Sequence, residues 1–281
     1  MSPAQRCWYG LVCSLFWGLG ACASLQMTPY DLGVALQDRG ELPAAIEHYK
    51  ETLAVQPEHL RARFNLAVIY HDQQKFRAAR EQYERLLQIY PEHARSLVNL
   101  ADIALVEGQP EQAEHLLRRA VDAEPERAYP ASFLGRYLQQ QGRFTEARLA
   151  YERALAVEED ALTRYRCGML WLQQGQPVEA RAQFLKAITR TPEHAPALYQ
   201  LALLAIRSDE TTQAIRYLQR LAFLTPRHAE VFLLLGKLYL QQGQYASAAL
   251  HFWEARDLQP DAPDVERLLQ QVYEALLKQH P

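Results

Sequence analysis

The sequence predicts an all-α solenoid: seven helix-turn-helix repeats stacked in order and closed by one C-terminal capping helix. Three observations predict it. Pro57, Pro91 and Pro125 stand 34 residues apart, and so do Pro192, Pro226 and Pro260; a period of that length marks a stack of small helical units. With this proline counted as residue 32 of its unit, position 20 is alanine in all seven units: Ala45, Ala79, Ala113, Ala147, Ala180, Ala214 and Ala248. Position 8 is then glycine or alanine throughout, from Gly33 to Gly236, and position 24 is large throughout, from Tyr49 to Phe252. Two helices that approach closely need small residues at the contact and a bulky one to fill the space beside it.

The units run 26–59, 60–93, 94–127, 128–160, 161–194, 195–228 and 229–262, so the repeats cover 26–260 up to the last proline. The fourth unit is one residue short, and Glu159 takes the place of its proline. Each first helix carries an apolar stripe at positions 4, 7 and 11, and each second helix one at 20, 24 and 27. Neither stripe can be buried within its own unit, so stability must come from stacking. Gly40, Gly108, Gly142, Gly175 and Gly243 fall at position 15, where the first helix has to stop, and Pro43, Pro110 and Pro177 open second helices. Residues 263–281 form the capping helix, with Val265, Leu268, Leu269, Val272, Tyr273, Leu276 and Leu277 on one face and Asp264, Glu266, Arg267 and Gln271 on the other. Gln270 stands where a repeat needs glycine or alanine, as suits a helix that receives no further hairpin.

Ahead of the repeats, residues 1–21 read as an export signal: Arg6 precedes an apolar run from Cys7 to Leu19 that is too short to span a bilayer. Leu19-Gly20-Ala21-Cys22 resembles the bacterial lipobox, which implies lipidation at Cys22 and a short tether over 22–25. Ala21-Cys22-Ala23 also offers an ordinary signal-peptidase site, so cleavage before Cys22 and cleavage after Ala23 both stand, as does a retained anchor. Ala23 after the cysteine resembles lipoproteins sorted to the outer membrane, which places the expected location at its periplasmic face; soluble periplasmic or secreted release is the alternative.

Across residues 26–260 these positions resemble the tetratricopeptide repeat family. The resemblance implies a superhelix whose first helices line a concave channel, with positions 2, 5, 6, 9, 12 and 13 facing a bound partner. The candidate peptide-binding residues at those positions are Tyr30, Arg61, Phe64, Asn65, Arg95, Asn99, Arg136, Tyr165, Arg166 and Tyr199. Aromatic side chains beside asparagine and arginine suit an extended peptide, whose backbone needs donors and acceptors while its side chains need pockets. Position 5 aromatics can instead pack on the neighbouring helix. Members that clamp chaperone C-termini use lysine and asparagine where this chain has Tyr30 and Val34, so that clamp is not expected; Arg95, Arg136 and Arg166 remain able to meet acidic groups.

Signals of catalysis are absent. The sequence has no metalloprotease, nucleophile-elbow, phosphate-loop or dinucleotide motif, and its 12 glycines are all used by the repeat or the signal. His59, His93, His194 and His228 recur at the turns, about a helix-pair spacing of ~10 Å apart, which suits turn chemistry and not one metal. Cys167 takes a position that is leucine in the other units and reads as core. The 30 basic and 33 acidic residues are well mixed, giving net charge −3 and no footprint for nucleic acid. No cofactor is expected. The function expected is a non-catalytic scaffold for other proteins or extended segments, membrane-held through its lipid, similar to repeat lipoproteins of type IV pilus biogenesis or exopolysaccharide export. An adaptor for peptidoglycan hydrolases, a binding arm for a separate glycosyltransferase, and a lipid or glycan receptor are the alternatives, and homo-oligomerisation stays open.

Overall fold

Every hairpin turn closes by the same hydrogen bond. In all seven, the N–H at position 16 returns to the carbonyl at position 11, from Glu41 to Leu36 at 2.9 Å through Gln244 to Tyr239 at 2.9 Å. This bond requires a left-handed residue between the helices. Five of the seven are the expected glycines, with φ from 69° to 78°, and the other two are Gln74 (φ 58°) and Asp209 (φ 56°), which pay the Cβ penalty instead.

The computed structural model describes residues 27–261 and 263–279. They fall into two units that divide after Pro91. The first holds α1 (Pro29–Asp38), α2 (Leu42–Val55), α3 (Leu60–Asp72) and α4 (Phe76–Ile89). The second holds α5 (Ala94–Val106), α6 (Pro110–Ala123), α7 (Ala128–Gln140), α8 (Phe144–Val157), α9 (Ala161–Gln173), α10 (Pro177–Arg190), α11 (Ala195–Arg207), α12 (Thr211–Leu224), α13 (Ala229–Gln241), α14 (Tyr245–Leu258) and α15 (Pro263–Gln279). Odd-numbered helices through α13 are the first helices of hairpins. Six begin on the first residue of their unit; α1 starts later, where Thr28 and Asp31 form a reciprocal capping box. Residues 1–26, with the signal, Cys22 and the tether, lie outside the described residues.

Close contact at positions 8 and 24 builds each hairpin. A Cβ on Gly33, Gly135, Gly168 or Gly236 would come within 2.7, 2.7, 2.4 and 2.5 Å of the rings of Tyr49, Tyr151, Phe184 and Phe252. Those four rings and Tyr83 are fully buried, each worth about 1.5–3 kcal/mol of transfer from water. Where position 24 is a leucine, Leu117 or Leu218, position 8 is an alanine, Ala101 or Ala202. The buried tyrosines keep their hydroxyls satisfied: Tyr49 donates to Gln37 at 2.7 Å and Tyr151 to Gln139 at 2.8 Å.

The predicted stripe at position 4 is broken twice. Arg63 is buried in α3, where it donates to Gln82 at 3.1 Å and to the Pro57 carbonyl. Arg164 of α9 donates to Gln183 at 2.9 Å and forms a two-bonded ion pair with Glu159. Both reach back to position 32, so an arginine ties the turn to the next helix. Burial holds the Arg63 guanidinium below its ordinary pKa, with Arg85 adding to the effect.

The capping helix buries a narrower face than its sequence suggests. Val265, Leu269 and Val272 are buried against Phe232, Phe252 and Ala255, whereas Tyr273 and Leu277 are exposed. The seven apolar residues span an arc wider than one helix neighbour can cover, so those at its edge face outward.

Candidate functional site

The residue before a first helix decides how that helix begins. His59, His93 and His194 precede α3, α5 and α11, and each turns its ring Nδ1 onto the third N–H of the helix: Ala62 at 3.1 Å, Ser96 at 3.2 Å and Ala197 at 3.2 Å. Before α9, Asp160 does the same with its carboxylate, accepting from Leu162 at 3.1 Å and Thr163 at 2.7 Å. Four helices are thus capped by a side-chain acceptor at the same place in the repeat. Burial depresses the pKa of His93 and His194; Glu124 opposes the shift at His93.

Two of the capping rings, His59 and His194, also pack against aromatic residues of the candidate site. In the first unit Tyr30 lies 4.7 Å from His59 and 6.1 Å from Tyr49, ring centre to ring centre. Phe64 packs 6.0 Å from Tyr83. Asn65 donates to the Tyr49 hydroxyl at 3.2 Å, which continues to Gln37. Burial pushes the Tyr49 phenol above its ordinary pKa. Tyr30, Phe64 and Asn65 are half-buried, and Arg61 is exposed beside the Pro57-Glu58-His59 turn.

In the second unit α5, α7 and α9 touch directly, so their faces are continuous. Phe133 of α7 is flanked by two guanidiniums, Arg136 at 4.8 Å and Arg166 at 5.7 Å from its centre. Arg136 meets Asp102 only at 4.0 Å. Arg166 donates to Ser132 at 2.8 Å, and Ser132 hydrogen-bonds Thr163 at 3.0 Å, whose hydroxyl donates to Asp160 at 2.6 Å. Burial lowers the Arg166 pKa and the charge of Arg136 adds to it, against opposing contributions from Tyr151 and Asp160. Two cations thus flank one ring, with Asp102 at the limit of ion-pair range from Arg136 and Asp160 reached from Arg166 only through Ser132 and Thr163, an arrangement that can take an added anion. Tyr165 lies 5.4 Å from His194 and 5.7 Å from Phe184, and burial raises its phenol pKa. Tyr199 lies 6.1 Å from His228 and donates to Glu230 at 2.7 Å. Arg95 is set apart in a recess with His93, Glu124 and Tyr129, and Asn99 is half-buried on α5. Val98 and Ser132, counted on the open face by position, are buried.

Residues 30–94, 134–195 and 199–263 match the family model described as tetratricopeptide repeat, and residues 70–137 match a second model of that description. The chain is a tetratricopeptide repeat protein.

Sequence comparison with curated proteins finds no match. Solved tetratricopeptide structures do resemble it. PilF of Pseudomonas aeruginosa is 21% identical, over 75% of this chain and 97% of that one, with a TM-score of 0.64. PilW, a type IV pilus biogenesis factor, is 21% identical, over 76% and 98%, with a TM-score of 0.60. The APC/C hetero-tetramer Cut9–Hcn1 is 19% identical over 88% of this chain, which spans 49% of that one, with a TM-score of 0.60. At these identities the likeness is one of fold.

Within the tetratricopeptide stack Cys167 is a core residue: it is free and 6% exposed, and burial pushes its thiol to about 12, far from a reactive thiolate. The described residues contain no cluster of three or more His, Cys, Asp or Glu placed to hold a metal, and no helix among them is long and apolar enough to cross a membrane. Sequence reasoning missed Phe133. Its signal was present: Arg136 lies three residues on along the same helix, and Arg166 shares position 6 in the next repeat.

Proposed function

We propose that this protein is a non-catalytic scaffold, exported and lipid-anchored at Cys22 on the periplasmic face of the outer membrane, whose first-helix faces hold extended segments of partner proteins in an envelope assembly of the pilus, secretion or polysaccharide-export kind. The observation that carries the binding reading is the Phe133 ring between Arg136 and Arg166. A partly desolvated cation whose hydrogen bond goes to a neutral hydroxyl leaves charge for a partner to neutralise. The half-buried Tyr165 and Tyr199 extend the same kind of surface with rigid apolar area, the composition that protein interfaces favour. The structural likeness to PilF and PilW supports the pilus-type reading of the assembly.

Crosslinked capture from detergent-solubilised envelopes tests it, with the native chain beside the Arg136→Glu, Arg166→Glu double variant. Capture of envelope-assembly proteins is expected to weaken at least ~10-fold in the variant, about 1.4 kcal/mol, while helical content is kept. Equal capture by both would refute the role of these arginines. Radiolabelled palmitate should enter the native protein and not Cys22→Ala; labelling of neither would overturn the anchor.

A further inference from the structure

A helix can be capped by an acceptor that does not titrate near neutrality, yet three first helices here are capped by imidazoles. The bond each makes requires an unprotonated Nδ1, because a protonated ring is a donor at both nitrogens. Protonation therefore removes the acceptor and puts a positive charge at the positive end of the helix dipole. At α5 and α11 the same N–H also reaches the histidine's own carbonyl, at 3.0 and 3.1 Å, so the shorter turn contact is what remains. We propose that His93 and His194 make the starts of α5 and α11 pH-responsive, so that mild acidification releases these caps and loosens the first-helix faces built on them.

The surroundings bear on the direction. His93 shares its recess with Arg95, Glu124, Glu126, Arg127, Tyr129 of α7 and Glu158. His194 faces Tyr165 of α9 and Asp160, follows Glu193, and sits by the turn whose Pro192 carbonyl accepts from Arg220 of α12 at 2.6 Å. The folded-state values of His93 and His194 are depressed. The stability they add is thus present above the unfolded imidazole value of about 6.5 and is lost as pH falls below it. Asp160, in the equivalent place, is an internal contrast: burial opposes its ionisation, but hydrogen bonds from Thr163 and Leu162 prevail and hold its carboxyl below the ordinary value. That cap survives the range in which the imidazoles are lost. The Tyr165–His194 contact connects the α11 cap to a candidate binding residue, whatever that face binds.

The test compares the native chain with the double variant His93→Asn, His194→Asn. Asparagine is a strong N-cap that carries no titrating proton in this range. Hydrogen exchange, corrected for the intrinsic pH dependence of exchange, is followed at Ser96 and Ala197 from about pH 7.5 to about pH 5.5, the interval around the imidazole value. Protection is expected to fall roughly threefold to tenfold in the native chain, the scale of a lost cap, and to hold in the variant. The other histidines are common to both proteins and cancel in the comparison. An equal fall in both, or no fall in the native chain, would overturn the proposal. Should the variant not fold, imidazole titration of the native chain by NMR decides: His93 and His194 titrating below about 6.5 supports the caps, and titration at or above that value sinks them.

Discussion

At the residue scale, the fold leaves little room where its hairpins meet. Gly168 faces the Phe184 ring so closely that an added methyl would sit 2.4 Å from it, and the ring is fully buried. Gly168→Ala is expected to cost about 1–3 kcal/mol as overpacking, read as a lower urea midpoint; a change under about 0.5 kcal/mol would mean the ring relaxes freely. The turns make the opposite prediction. Gln74 holds φ 58° in the place five other hairpins give to glycine, so Gln74→Gly should raise stability by about 1 kcal/mol. A loss on that substitution would show that the glutamine side chain itself contributes. Position 8 and position 15 were both legible in the sequence, because small size and left-handed φ each restrict the choice of residue so strongly.

At the element scale, α15 separates what its sequence pattern implies from what packing accepts. Val272 is fully buried and Leu277 is 72% exposed, although both belong to one apolar arc. Val272→Asp should destabilise the adjoining α13–α14 hairpin by about 3 kcal/mol or more, since it buries an unpaired carboxylate. Leu277→Lys should stay within about 0.5 kcal/mol of the native chain. Similar losses from both, in thermal melts, would mean that the outer face is covered by something else. The capping histidines are a second element-scale case. Their recurrence pointed to a role in the turn, but that role is an acceptor at a helix start, and only the direction of the rings reveals it.

At the scale of the molecule, hairpins of the second unit draw their core from their neighbours: Phe184 of α10 packs with Ala197 and Leu201 of α11, while Phe252 of α14 packs with Val265 and Leu269 of α15. Stability in such a stack is local and passed between nearest neighbours. Phe184→Ala should therefore cost about 3–5 kcal/mol and act regionally. Hydrogen-exchange protection is expected to drop in α9, α10 and α11 while α14 keeps its own; uniform loss along the chain would instead indicate a single cooperative unit. Within the second unit the same logic places Phe133, Arg136 and Arg166, which come from successive repeats and meet only when those hairpins stack in register.

The sequence by itself determined the repeat, its seven hairpins, the bulky and small partners at each contact, and the family to which the chain belongs. A period of 34 residues carries those, since every unit meets the same packing demand. Tertiary structure alone decided that Arg136 and Arg166 share Phe133, that Arg95 stands apart from them, that Val98 and Ser132 are covered, and that three imidazoles hold helix starts. The physical reason is that a repeat position fixes which face a side chain leaves from. Its contacts depend on rotamer and on the particular residue of the next unit, and those vary from repeat to repeat.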